Sequence, residues 1–121
     1  MAITFHIKTI KRSRKIDQKN FKNEVIESIE LAIVQFKSEW SGACQIIAPV
    51  YEELARHYEG TANFFITDIE TDTSLEKEYG ICEVPTILFF KDGIIIDHSI
   101  GLTSKNTLIE KIENALTSFQ N

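Results

Sequence analysis

Two cysteines, Cys44 and Cys82, are the only thiols in the chain, and Cys44 ends the run Trp40-Ser41-Gly42-Ala43-Cys44 just before a helical pattern. A thiol so placed can exchange with a disulfide if it is accessible and ionised. The ordinary reading of Cys44 is a buried core thiol, because unpaired cysteine is among the most buried residue types. Cys82, three residues before Pro85, reads as a surface-loop thiol or as a redox partner. It could meet Cys44 if their Cα atoms come within about 7 Å. Ser41 has no His or Asp close in sequence to activate it as a nucleophile. It stands where a helix N-cap belongs, a role in which serine is worth about 1 kcal/mol over alanine. Trp40 reads as a large packing residue. The three histidines, His6, His57 and His98, lie far apart and the cysteines lack paired spacing, so no metal and no cofactor is expected. The acidic stretch 68–78 lacks the glycine turn of a calcium loop and reads as a solvated face.

These residues need elements to position them. Ile3, Phe5 and Ile7 alternate with polar residues, which predicts a half-buried strand over 3–10. Asp17 can cap a helix carrying Phe21, Val25 and Ile29 at four-residue steps. Leu31 to Phe36 is an almost unbroken apolar run, the pattern of a central strand covered on both faces. A long amphipathic helix follows, with Ile46, Ile47, Val50, Leu54 and Tyr58 on its inner side, a kink expected at Pro49 and Gly60 at its close. The next strand spans 63–69. Thr73 to Glu76 fits a capping box, and Gly80 ends that short helix. Strands 86–90 and 94–98 flank Asp92-Gly93, a strong hairpin signal. Ser104 caps a last helix with Leu108, Ile109, Ile112, Leu116 and Phe119 inward. The order β α β α β α β β α predicts a mixed sheet between two helical layers.

With 121 residues and a hydrophobic fraction of 43%, the chain holds one core rather than two. Residues 1–22 hold seven Lys or Arg against Asp17 alone, whereas 23–121 hold six against seventeen acids. Any attraction to polyanions therefore resides in the first segment. Its basic stretch, 8–15, has no interleaved aromatics and reads as a solvated strand end, so nucleic acid is not an expected partner. The N-terminus does not read as an export signal, and no apolar run approaches the roughly 20 residues of a membrane span. A cytoplasmic setting with reduced thiols and no membrane partner is expected.

The strand, the Trp40-Ser41-Gly42-Ala43-Cys44 run, the helix and Val84-Pro85-Thr86 some forty residues later together resemble the thioredoxin family. That family carries Trp-Cys-Gly-Pro-Cys at the start of a kinked helix, a cis-proline loop facing it and glycines in and after the terminal hairpin. Trp40, Gly42, Cys44, Ala48, Pro49, Pro85, Thr86, Gly93 and Gly101 match that pattern in order. The resemblance implies a thioredoxin fold, an α/β domain with a central mixed sheet flanked by helices on both faces. It covers residues 16–121, with an extra N-terminal strand as an extension over 1–15.

The departures decide the expected function. In the family the first cysteine attacks and the second resolves; here the attacking position is Ser41, and a hydroxyl cannot exchange with a disulfide. The family's buried aspartate corresponds to Gln35, which does not titrate. By resemblance Cys44 lies on the buried side of the helix start and Trp40 is partly exposed. The resemblance implies a groove lined by Trp40, Ser41, Gly42, Val84, Pro85 and Gly101, in which an extended segment of a protein partner pairs beside cis-Pro85. Little or no dithiol reductase activity is expected. The alternatives are a thiol-disulfide oxidoreductase using Cys44 alone or with Cys82, and a reductase whose first cysteine was engineered to Ser41. Iron-sulfur ligation, which in some relatives uses a cysteine at position 41, is not expected. The chain is expected as a monomer or as a weak dimer through residues 3–10.

Overall fold

The structure, a computed structural model, describes residues 12–117. The strand expected over 3–10, the dimer edge assigned to it and Phe119 lie outside the described residues. In chain order the elements are β1 (Arg14–Lys15), α1 (Gln18–Phe21) running on into a π-helical turn (Lys22–Ile26), β2 (Leu31–Lys37), α2 (Gly42–His57), β3 (Ala62–Asp68), α3 (Thr73–Glu78), β4 (Thr86–Lys91), β5 (Ile94–Ile100) and α4 (Lys105–Leu116).

The strands form one sheet in the order β1-β3-β2-β4-β5. β1, β3 and β2 run parallel, and β4 and β5 are antiparallel additions. The basic residues at 14 and 15 thus become an edge strand. Arg14 reaches to 3.2 Å from Glu24 and stacks over the Phe65 ring at 4.9 Å, so part of the basic stretch is engaged within the fold.

β2 lies at the centre, as its apolar run requires, with Leu31 to Phe36 all buried. Its two-residue period divides the core. Leu31 and Ile33 face the layer of α2 and α4 together with Ile47, Tyr51, Leu54, Leu108 and Ile112. Ala32, Val34 and Phe36 face the opposite layer with Phe21, Val25, Leu75 and Phe90. The same alternation puts Gln35 on the side of α2.

Local signals determine most helix starts. Asp17 accepts from the Lys19 and Asn20 amides while Asn20 returns a bond to the Asp17 amide, so the cap is reciprocal. Ser104 accepts from Thr107 N at 3.1 Å. α3 corrects the expected cap: Thr73 is its first helical residue, and Asp72 accepts from Ser74 N at 3.0 Å. Asp72 also accepts from Gln18 N at 2.9 Å, which ties α3 to the start of α1. α2 corrects the expected inner face. Ile46 is 62% exposed, and Cys44, Ile47, Tyr51, Leu54 and Ala55 are buried. Pro49 lies within α2 and removes the amide that would otherwise reach the Gln45 carbonyl.

Asp92 (φ 53°) and Gly93 (φ 78°) are both left-handed, the geometry of a two-residue hairpin turn whose twist matches the strands it joins. Each strand extends past its expected end, to Lys91 and Ile100.

Candidate functional site

The register gathers three loops at one end of the sheet. Phe36 in β2 pairs with Thr86 in β4, and Thr86 pairs with Ile100 in β5. The loop leaving β2 (38–41), the loop entering β4 (83–85) and Gly101 therefore meet at that end. Sequence alone singled out residues from all three.

The first loop is held by its own side chains. Ser38 Oγ accepts from Trp40 N at 3.2 Å and lies 3.0 Å from Glu70 Oε2, to which it donates. Ser41 N donates to Ser38 O at 3.2 Å. Ser41 Oγ accepts from Cys44 N at 3.2 Å, so the hydroxyl caps α2. Among the described residues no His or carboxylate is hydrogen-bonded to that hydroxyl, which leaves it without a base to activate it. Trp40 projects outward and is 84% exposed, more than partial exposure.

Cys44 is buried on the inner side of α2, and Cys82 is exposed immediately before the second loop, where its thiol lies 3.5 Å from the Gly80 carbonyl. Both are free thiols. They line separate recesses. Cys44 borders a cavity of about 410 Å³ with Gln35, Lys37, Tyr51 and Glu52. Cys82 borders one of about 360 Å³ with Tyr79, Thr86 and His98.

Gln35 is 2% exposed, and its Nε2 has no hydrogen-bond partner. Two neighbours in that cavity escaped the sequence reading. Tyr51 OH lies 2.6 Å from the Phe65 carbonyl and 3.0 Å from that of Ile33, clipping α2 onto β2 and β3. Burial holds the Tyr51 hydroxyl well above the ordinary tyrosine value, and the charge of Glu52 adds to the rise. Glu52 accepts from Arg12 N at 2.7 Å, from Ser13 N at 3.0 Å and from Ser13 Oγ, so it anchors the chain entering β1. A tyrosine and a glutamate within an amphipathic helix carry no spacing signal that marks these roles.

In the second loop the Val84–Pro85 peptide is cis. Thr86 Oγ1 donates to Glu83 O, and Gly101 N donates to Pro85 O at 2.7 Å. Gly101 has φ 83°, and a Cβ there would stand 2.8 Å from Glu83 Oε2, so glycine suits both the backbone and the close approach. The predicted residues Trp40, Ser41, Val84, Pro85 and Gly101 thus belong to loops at one end of the sheet, and Gly42 is the first residue of α2 next to them. Among the described residues no group of three or more His, Cys, Asp or Glu could hold a metal, and no helix is long and apolar enough to cross a membrane.

A family model described as Thioredoxin matches residues 12–114, a range that includes β1. A thioredoxin from Staphylococcus saprophyticus is 36% identical over 102 residues, covering 84% of this chain and 96% of its own length. One from Rickettsia felis is 33% identical over 104 residues, covering 86% and 99%. Among solved structures, the thioredoxin of Malassezia sympodialis superposes with a TM-score of 0.79 at 26% identity, covering 87% of this chain and 91% of that one.

Proposed function

Because this chain belongs to the thioredoxin family, we propose that it keeps the family's docking groove and has set aside the dithiol cycle. On this reading an extended segment of a protein partner lies beside Pro85, between Trp40, Ser41 and Gly42 at the start of α2 on one side and Gly101 on the other. Backbone pairing of such a segment needs no sulfur from the host. One observation carries the reading: the position from which a thiolate must attack holds a hydroxyl already committed to capping α2 through the Cys44 amide. Disulfide exchange starts with a thiolate, and an alcohol does not replace it. Gln35 adds to this, since an amide beneath the motif cannot take or release a proton during turnover. A cytoplasmic setting, in which Cys44 and Cys82 stay reduced, belongs to the same reading.

Insulin reduction with dithiothreitol as electron source tests it. The chain should give no turnover above the reductant alone, and Ser41→Cys should restore measurable exchange by placing two thiols at the motif. Turnover by the unmodified chain overturns the proposal and favours use of Cys44 alone or with Cys82. Loss of that turnover in Cys44→Ser or in Cys82→Ser then identifies the thiol.

A further inference from the structure

We infer that the groove selects a partner segment carrying lysine or arginine; the inference rests on the docking reading above and adds the chemistry of the occupant. Two exposed carboxylates stand at the loops that border it. Glu39 immediately precedes Trp40, and its backbone is held by Gln45 Nε2, which donates to the Glu39 carbonyl at 3.1 Å. Glu83 immediately precedes Val84 and Pro85, and its carboxylate rests over Gly101. Gly101 is in turn bonded to the Pro85 carbonyl, so this charge sits on the rim itself.

Neither carboxylate has an ion pair among the described residues. Among the described residues four acids are ion-paired, Glu53 with Lys105 at 2.6 Å, Glu24 with Arg14 at 3.2 Å, Asp97 with Lys111 at 3.3 Å and Asp68 with Lys37 at 3.8 Å, so what sets Glu39 and Glu83 apart is their place on the loops beside the groove. Among the described residues the two acids beside the groove have no cation in ion-pair reach, in a chain with a net charge of -5. Trp40, next to Glu39 on the first loop, is 84% exposed, and its outward indole offers a face that attracts a cation, an arginine guanidinium best of all. Main-chain pairing supplies affinity for many extended segments, whereas fixed charges at the rim discriminate among them and speed the encounter. A segment with acidic side chains there meets like charge with no compensating donor.

Trp40 is the only tryptophan in the chain, so its emission reports occupancy of this surface directly. The full chain is titrated with two extended peptides that share one apolar frame, one bearing two arginines and the other two glutamates, at low and at raised salt. The arginine peptide should shift Trp40 emission with about tenfold tighter binding, two exposed ion pairs and one cation–π contact together being of that order. Raised salt should narrow the gap. Glu39→Gln combined with Glu83→Gln should remove most of the preference and leave only the few-fold share of the Trp40 face, while Glu110→Gln, exposed on α4, should leave the preference intact. Equal binding of both peptides by the unmodified chain, or a preference that the double substitution leaves undiminished, overturns the charge selection and leaves the docking reading standing. If neither peptide shifts Trp40 or competes with the other, the docking reading fails and this inference falls with it.

Discussion

Ser41 Oγ accepts a hydrogen bond from the Cys44 amide at 3.2 Å, so the residue in the attacking position serves as the cap of α2. The same contact reaches from the motif's first residue to its last. Chemistry and helix stability therefore depend on one side chain, and separating them requires two different substitutions.

Ser41→Ala removes the cap acceptor and leaves the Cys44 amide to solvent. We expect a loss of about 1 kcal/mol in urea unfolding, the usual worth of a serine N-cap. An unchanged midpoint would show that water replaces the hydroxyl without loss.

The two thiols should differ sharply in accessibility. Cys82 is exposed and Cys44 is 5% exposed. A chromogenic disulfide reagent should titrate one thiol in the native protein and both in denaturant. Fast labelling of Cys44 in the folded Cys82→Ser variant contradicts its burial.

Glu52 joins α2 to the chain entering β1 across roughly forty residues by accepting from Arg12 N, Ser13 N and Ser13 Oγ. Glu52→Ala strands these donors at the sheet edge and should cost about 2 kcal/mol. Amide exchange is the sharper readout. The Ile16 amide, which donates to Ile66 O at 2.8 Å, should exchange faster, whereas amides of central β2 should follow only the global loss of stability. Protection at Ile16 that merely tracks the core excludes a local anchoring role.

Burial pushes the Tyr58 hydroxyl from 10.0 up to about 12, and the bond it donates to Glu113 at 2.6 Å adds to the shift. The folded state holds this proton more tightly than the unfolded state does. The stabilisation is fully present below about 10 and is lost as pH rises toward about 12. Unfolding midpoints across that window should fall, and Tyr58→Phe should flatten part of the decline. Tyr51, raised well above its ordinary value in the same direction, should keep the remaining slope. An equal slope in the Phe variant rules out Tyr58 as a contributor.

Much of the molecule is legible in the sequence because the responsible interactions are local. The caps at Asp17, Ser41 and Ser104 reach amides two or three residues ahead. The Asp92-Gly93 turn needs only two residues that tolerate positive φ, and an unbroken apolar run can be satisfied only with cover on both faces. The positions of Ser41 and Pro85 also follow from short motifs, so the loops that bear the site could be named in advance.

What the tertiary structure alone decided are the contacts between distant segments. Asp72 caps α3 through a local contact to the Ser74 amide, but its second oxygen receives the Gln18 amide, a bond that exists only once α1 and α3 are brought together. The helical repeat of α2 allows more than one inward face, and docking on the sheet chose Tyr51 and Ala55 over Ile46. Glu83 over Gly101, Glu52 on Ser13 and Gln35 with an unpartnered amide beside Cys44 arise where strands separated by dozens of residues are brought into register. Chain-local periodicity carries no information about such pairs, since their energies exist only once the sheet has closed.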